Sequence, residues 1–234
     1  MYKPFEEPLC KDCNTHFKTI FRKLSLEQQD FISSRKSCAF YKKGTVIYKE
    51  GQRTSGIYCI NQGIVKIYKT GVEGKEQIIK FAKCGDVFGY RSILNGEPAC
   101  TSVKVNEDAV ICHVIASDFY AMLKENSEFG IDMLQLACAE LGEANSYITD
   151  IAQKSVRERL AEILVYLKDE FGVDDDKMIK LNLTREELAN LVGTATESVI
   201  RLLSEFKNDG LVELKGRRIR LINLDKLNKI GNIY

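Results

Sequence analysis

Glu197 and Arg201 stand four residues apart, so on a helix they share one face, a single turn from each other. A guanidinium there can donate a fork of hydrogen bonds to guanine O6 and N7, and a carboxylate can accept from cytosine N4. The same spacing lets the two pair, which would fix the arginine before contact. Val199, Leu202, Leu203 and Phe206 repeat at the interval of one buried stripe, leaving Thr196, Glu197, Ile200 and Arg201 on the opposite face. Upstream, Thr184 and Glu187 have the spacing of a capping box, and Leu188, Leu191 and Val192 make the apolar face of a short helix. Gly193 permits a tight turn, with Thr194 or Thr196 as the expected cap of the second helix. Downstream, two alternating runs flank Lys215-Gly216, the pattern of a hairpin whose Lys215, Arg217, Arg218 and Arg220 would lie over phosphates. The order predicts a winged helix-turn-helix, with Thr194, Thr196 and Ser198 beside Glu197 at the start of a recognition helix. A surface ion pair on a solvated helix has the same Glu–Arg spacing; what separates the readings is the succession of cap, turn, helix and basic hairpin.

The chain that must position this module has 234 residues, the length of two domains that each bury a core. Its 44% hydrophobic and 29% charged residues are ordinary for a globular protein. Net charge is only +1, and residues 155–234 carry 14 Lys/Arg against 14 Asp/Glu, so any positive surface is local. Residues 201–220, with six basic against three acidic, are where it lies. No apolar run reaches membrane-spanning length and the first residues lack a signal-peptide core, so a cytoplasmic protein without a membrane partner is expected. Its eight cysteines are then expected mostly as thiols. Cys59, Cys84, Cys100 and Cys138 read as small buried hydrophobes, whereas Cys10 and Cys13 have a metal or redox spacing.

Residues 17–35 read as a helix. From Phe40 to Val114 the pattern is short strands punctuated by glycine: 45–48, 57–60, 64–68, 77–81, 87–88, 102–105 and 109–114, an all-β barrel-like or jelly-roll domain. A barrel of this kind can also carry metal-dependent catalysis, but the strands offer only His113 as an inward imidazole, so no enzyme is expected. From about Ser127 to Ala152 a helix follows, with Ile131, Leu134, Cys138, Leu141, Asn145, Ile148 and Ala152 on an alternating three–four seam. Such a seam belongs to a two-stranded dimer, or packs on the β-domain. A hinge at 154–156 precedes a helix over about 156–170 and an acidic loop at 172–176.

A β-roll, a long helix and a winged helix-turn-helix in this order resemble the Crp/Fnr family of bacterial transcription regulators. In the first half the likeness rests on Lys43-Gly44, Glu50-Gly51, Tyr58, Gly63, Lys66, Gly74 to Ile78 and Gly85 to Gly89. In the second half it rests on Arg159 to Ala161, Leu183 to Arg201, Leu211 and Gly216. It implies an α+β chain: an N-terminal β-roll sensor domain of cyclic-nucleotide-binding type (1–126), a dimerisation helix (127–153) and a winged helix-turn-helix DNA-binding domain (154–234). It further implies a homodimer on palindromic operators, Glu197 and Arg201 reading a TGA-like core, Thr184 and Arg185 holding phosphates, and RNA polymerase as a partner. Thr196 matches neither main branch of the family, leaving the outer operator bases open. The alternative is a cyclic-nucleotide-binding-like interaction protein without sequence-specific DNA binding.

The effector is unknown from the residues. Where cyclic-AMP members place a Glu, Gly89 is followed by Tyr90-Arg91-Ser92, and the expected Arg-Ser falls at Ala99-Cys100. A buried cyclic phosphate without a fixed cation is costly, which argues against cyclic AMP, with Arg91 as a displaced substitute. Gly89, Tyr90, Arg91, Ser92, Cys100 and Thr101 would line a pocket for another small ligand, or close it. Oxygen-sensing members hold an iron–sulfur cluster on four cysteines; Cys10, Cys13 and Cys112 match three, and the remaining position is Thr19, for which His16, Cys38 or Cys59 would have to stand in. A cluster or other metal, a dithiol response at Cys10–Cys13, and no cysteine sensing all remain open. Haem, with only His16 and His113 to hold it, is disfavoured.

Overall fold

The computed structural model describes residues 7–10, 13 and 20–233, which divide into two compact units meeting inside a long helix, at Glu140 and Leu141. In the first unit, the helix expected over 17–35 is shorter. Residues 17–19 lie outside the described residues, Ile20–Lys23 is a 3-10 turn, and α1 (Leu26–Arg35) starts afresh at Ser25, which forms a capping box with Gln28.

The β-roll contains β1 (Ser37–Tyr41), β2 (Val46–Tyr48), β3 (Gly56–Thr70), β4 (Glu76–Lys83), β5 (Val87–Phe88), the short α2 (Tyr90–Asn95) and β6 (Ser102–Ile115). The sheet is antiparallel in the order β1-β6-β3-β4, with β2 also paired to β6 and β5 to β3. Sequence reading split β3 and β6 into two strands each, at glycine and polar breaks. The structure keeps both continuous by bulging: the β3–β6 register shifts between Ile60 and Val65. Gly63 sits in that bulge at φ 88°, and a Cβ there would lie 2.3 Å from the Asp108 carbonyl oxygen. Only glycine permits this approach.

α3 (Ala116–Glu125) and the start of α4 (Ser127–Gln153) cover one end of the roll, where Phe119, Met122, Phe129 and Met133 are buried together with Ile57 and Val114. α4 therefore has two apolar faces. Phe129 and Met133, with Leu136 and Ala137 beside them, belong to the core of the first unit. The seam residues Ile131, Leu134, Cys138, Leu141, Asn145, Ile148 and Ala152 are all exposed, Leu134, Leu141 and Ile148 by 67%, 63% and 66%.

In the second unit, α5 (Val156–Phe171) begins at Ser155, which forms a capping box with Glu158. α6 (Arg185–Val192), α7 (Thr196–Asn208), the hairpin β7 (Val212–Lys215) and β8 (Arg218–Leu221), and α8 (Leu224–Gly231) complete it. Leu160, Leu164, Met178, Leu188, Val199, Leu203, Phe206 and Leu227 form its interior, so the apolar stripes of α5, α6 and α7 all point inward. Among the described residues, no helix is long and apolar enough to cross a membrane.

Candidate nucleic-acid interface

α7 is held in place by two arginines behind it. Arg159 is buried, and its guanidinium donates to the carbonyls of Val192 (3.1 Å), Gly193 (3.4 Å) and Lys154 (2.7 Å). It thereby satisfies acceptors that the end of α6 leaves open and fixes the turn into α7. Arg157 bridges Glu205 (3.0 Å) and Asp209 (2.8 Å) on α7 and lies over the Phe206 ring. The turn is closed by Gly193 at φ 74°, whose N–H donates to the Ala189 carbonyl.

The predicted capping box is present: the Thr184 hydroxyl accepts from Glu187 N (3.0 Å), and Glu187 accepts from Thr184 N (2.9 Å). The cap of α7 is a correction. Neither Thr194 nor Thr196 caps it; the N-cap is Ala195, the residue holding the extended conformation before the first turn, and it supplies no side-chain acceptor. Along α7, Val199, Leu202, Leu203 and Phe206 are buried, and Glu197, Ile200 and Arg201 are exposed. Thr194, Thr196 and Ser198 are half-buried at the helix start. Glu197 and Arg201 form no ion pair with each other among the described residues, so the arginine is not fixed in advance by the glutamate.

The wing is a two-residue hairpin with Lys215 opposite Arg218. Gly216 takes the first turn position at φ 61°, a conformation that favours glycine. The basic residues divide by partner. Lys215 and Arg217 are exposed at the tip, Lys215 with its ammonium 3.8 Å from Glu213. Arg218 binds Asp174 and Asp176 of the acidic loop, and Arg220 binds Glu213 on the neighbouring strand. Burial works against the charge on Asp174, but N–H groups from Met178 and Asp176 and the Arg218 guanidinium outweigh it and hold the carboxyl below its usual range. Arg185 donates to the Gly216 (2.8 Å) and Arg217 (3.3 Å) carbonyls, tying α6 to the wing tip, and burial lowers its pKa. Sequence reading missed this clamp, because a donor aimed at backbone carbonyls leaves no side-chain pattern.

In the β-roll, Gly89, Tyr90, Cys100 and Thr101 of the expected effector residues are engaged by neighbouring groups outside that set. Gly89 stands at φ 84° where α2 begins, and a Cβ on it would press on the Tyr58 ring at 3.0 Å. Tyr90 is buried and donates its hydroxyl to Glu140 of α4 (2.6 Å), which also accepts from Lys80 (2.5 Å). Thr101 hydrogen-bonds the Tyr48 hydroxyl, with Cys100 and Tyr58 nearby; burial raises that phenol's pKa most. Ser92 is half-buried. Arg91 is exposed, and the cation beside Tyr90 and Glu140 is Lys80, which sequence reading did not single out. His113 packs on Tyr58 and shares a 3.2 Å hydrogen bond with Ser55; burial lowers its pKa.

The cysteines depart further from expectation. Cys112 is bonded to Cys38 in a disulfide, so this pair is not the thiols expected. Cys84 and Cys138 are exposed rather than buried, because Cys84 sits beside a turn, donating to the Asn61 carbonyl, and Cys138 lies on the outward seam of α4. Cys10 packs at the edge of the core and Cys13 accepts from Asn61 Nδ2 at 3.2 Å. His16 and Thr19 lie outside the described residues. Among the described residues, no three His, Cys, Asp or Glu side chains converge as a metal site, and Cys112 is spent on Cys38. The described residues do not assemble the iron–sulfur site that Cys10, Cys13 and Cys112 suggested.

Two family models match the chain in tandem: a cyclic nucleotide-binding domain over residues 39–126 and a Crp-like helix-turn-helix domain over residues 158–230. Electron transport regulator A of Shewanella oneidensis is 28% identical over 227 residues, 95% of this chain and 90% of that protein. The fumarate and nitrate reduction regulatory protein of Escherichia coli is 26% identical, with the same 95% and 90% covered. Among solved structures, FixK2 of Bradyrhizobium japonicum superposes with a TM-score of 0.75 at 24% identity, over 83% of this chain and 96% of that one. A CRP/FNR-family transcriptional regulator of Thermus thermophilus gives 0.71 at 21% identity, over 84% and 98%. These two likenesses concern the fold alone. With the β-roll, the long helix and the winged helix-turn-helix all in place, the chain belongs to the Crp/Fnr family of transcription regulators.

Proposed function

We propose that the protein acts in the cytoplasm as a homodimer that presents α7 twice, in successive major grooves of a palindromic, TGA-containing operator. The observation that carries this reading is the exposed Glu197–Arg201 face of α7, backed by the Arg157 and Arg159 anchors and flanked by the wing tip. Arg201 reads guanine and Glu197 reads cytosine, while Lys215 and Arg217 contact phosphates. Thr184 and Arg185 reach phosphate only by exchanging their present partners, Glu187 and the wing carbonyls. The exposed seam of α4 supplies the twofold contact, since half-sites one helical turn apart require two linked reading helices. RNA polymerase is the further partner, and the β-roll is the sensor. The names of the relatives concern electron transport and fumarate and nitrate reduction, so operators of such genes are the first to test.

The test is fluorescence anisotropy on TGA-containing palindromes and on scrambled duplexes over a range of salt. The proposal expects a preference for the palindrome by a factor on the order of a thousand or more, and a steep salt dependence on both. Equal affinity for the two duplexes, or none at low salt, would favour an interaction protein without sequence-specific binding.

A further inference from the structure

The cysteine row of the β-roll lies outside everything the DNA-reading half explains. β6 runs between β1 and β3. Cys112 of β6 stands directly opposite Cys38 of β1 and directly opposite Cys59 of β3. Directly paired residues in antiparallel strands project to the same face, so three sulfurs form a row across three adjacent strands. The Cα atoms of Cys38 and Cys112 are 4.1 Å apart and their sulfurs are bonded. Beside the row lies a buried cation: Lys36 has 9% of its surface exposed, donates to the Pro8 carbonyl and places Nζ 3.9 Å from Cys112 Sγ. A buried ammonium needs anionic or strongly accepting company, and a thiolate at Cys112 provides it.

We propose that Cys38 and Cys112 are a redox-active dithiol–disulfide pair that reacts with hydroperoxides and is reset by thiols, with Cys112 as the attacking sulfur. In the reduced protein, the Cys112 thiolate beside Lys36 attacks one oxygen of hydrogen peroxide. The O–O bond breaks, the other oxygen leaves as hydroxide and takes up a proton to become water, and Cys112 becomes a sulfenic acid. The Cys38 thiol then attacks that sulfur, closing the disulfide and releasing the second water. The two cysteines lose two electrons and the peroxide gains them. Two thiol equivalents reverse the bond by exchange, leaving an external disulfide. Cys59 is the less reactive member of the row, because burial, with Cys13 and Cys10 adding to it, pushes its thiol far up against the pull of Lys36, whose ammonium lies within hydrogen-bonding reach of Cys112 Sγ. This rests on the cytoplasmic setting proposed above in one respect: in a reducing compartment, a disulfide between two strands already held together by their hydrogen-bond ladder is a responsive bond rather than a permanent staple.

The experiment uses the full chain, reduced without oxygen, treated with equimolar hydrogen peroxide and mapped by alkylation and peptide mass spectrometry, with no DNA present. Its result is therefore independent of whether the protein binds operators. The expected result is loss of two thiols, a cross-link joining the Cys38 and Cys112 peptides, and restoration by dithiothreitol. Cys38→Ser should leave Cys112 as a sulfenic acid that dimedone traps, Lys36→Met should slow the reaction roughly tenfold, and Cys59→Ser should leave the cross-link intact. A urea-unfolded sample provides the reference, and the folded chain should form this cross-link at least tenfold faster. Oxidation confined to Cys10–Cys13, or a Cys38–Cys112 rate no higher folded than unfolded, would overturn the proposal.

Discussion

Replacing Leu141 by alanine separates the two uses of α4. Leu141 is 63% exposed in the single chain, so its truncation removes little from the fold of one protomer. Full burial of a leucine contributes roughly 1.5–3 kcal/mol. About two thirds of that surface remains to be covered, which gives roughly 1–2 kcal/mol per protomer for the part that alanine loses. A twofold interface contains each residue twice, so the dimer should weaken by roughly 2–4 kcal/mol, or about 30- to 700-fold in dissociation constant. Sedimentation equilibrium across concentrations measures this. The monomer's own unfolding, followed well below the dimer dissociation constant, should shift by less than about 0.5 kcal/mol. An unchanged dimer constant together with a lowered, concentration-independent melting point would refute the reasoning, for it would mean that the seam packs within its own chain.

Four further outcomes rest on the geometry. Gly63→Ala drives a Cβ to 2.3 Å from the Asp108 carbonyl oxygen and 2.6 Å from Ala109 Cα, both backbone, and should cost more than about 3 kcal/mol in chemical denaturation. Gly74→Ala, with open space around it but φ 77°, should cost only about 1 kcal/mol. Arg185→Ala frees the wing tip and should destabilise the C-terminal unit by about 1–2 kcal/mol, visible as faster amide exchange in β7 and β8; unchanged exchange would mean that the clamp holds nothing. The Asp174 carboxyl is depressed in the folded protein, so its contribution is complete above the ordinary aspartate value of about 3.9 and fades as pH falls below it through the lower folded value. Asp174→Asn should flatten the acid limb of the stability profile, and an identical limb in both proteins would remove Asp174 as its cause.

What the chain discloses in advance follows the range of the forces involved. The capping box at Thr184–Glu187, the stripe of α7 and the hairpin at Gly216 are local, set by residues within a turn or two of each other, and they are where sequence reading places them. α2 and β1 went unseen because each is short, six and five residues, and neither shows a full period of its pattern. Gly63 reads as a break between two strands because a glycine in a bulge and a glycine between strands look alike until the partner strand is known. Cys38, Cys59 and Cys112 are spread over 74 residues, and only strand register aligns them. The same holds for Lys80, Tyr90 and Glu140, which come from a strand, a short helix and the long helix. Helix faces were legible, including the exposure of Glu197, Ile200 and Arg201; the contacts that hold Arg159, Arg185 and Arg218 in place were not, since their acceptors are backbone carbonyls or a distant loop.

The central claim is that α7 touches bases through Arg201, and Arg201→Ala tests it on operator and scrambled duplexes at several salt concentrations. Because Arg201 is exposed, its loss should leave the fold intact. Each half-site should lose roughly 1–3 kcal/mol of discrimination, so the dimer loses roughly 2–6 kcal/mol, about 30- to 20,000-fold in preference. Affinity for scrambled DNA and the salt slope should be nearly unchanged, since no phosphate contact is removed. An equal loss on both duplexes with a slope reduced by about one per lost contact would show that Arg201 holds phosphate and that α7 does not read sequence through it.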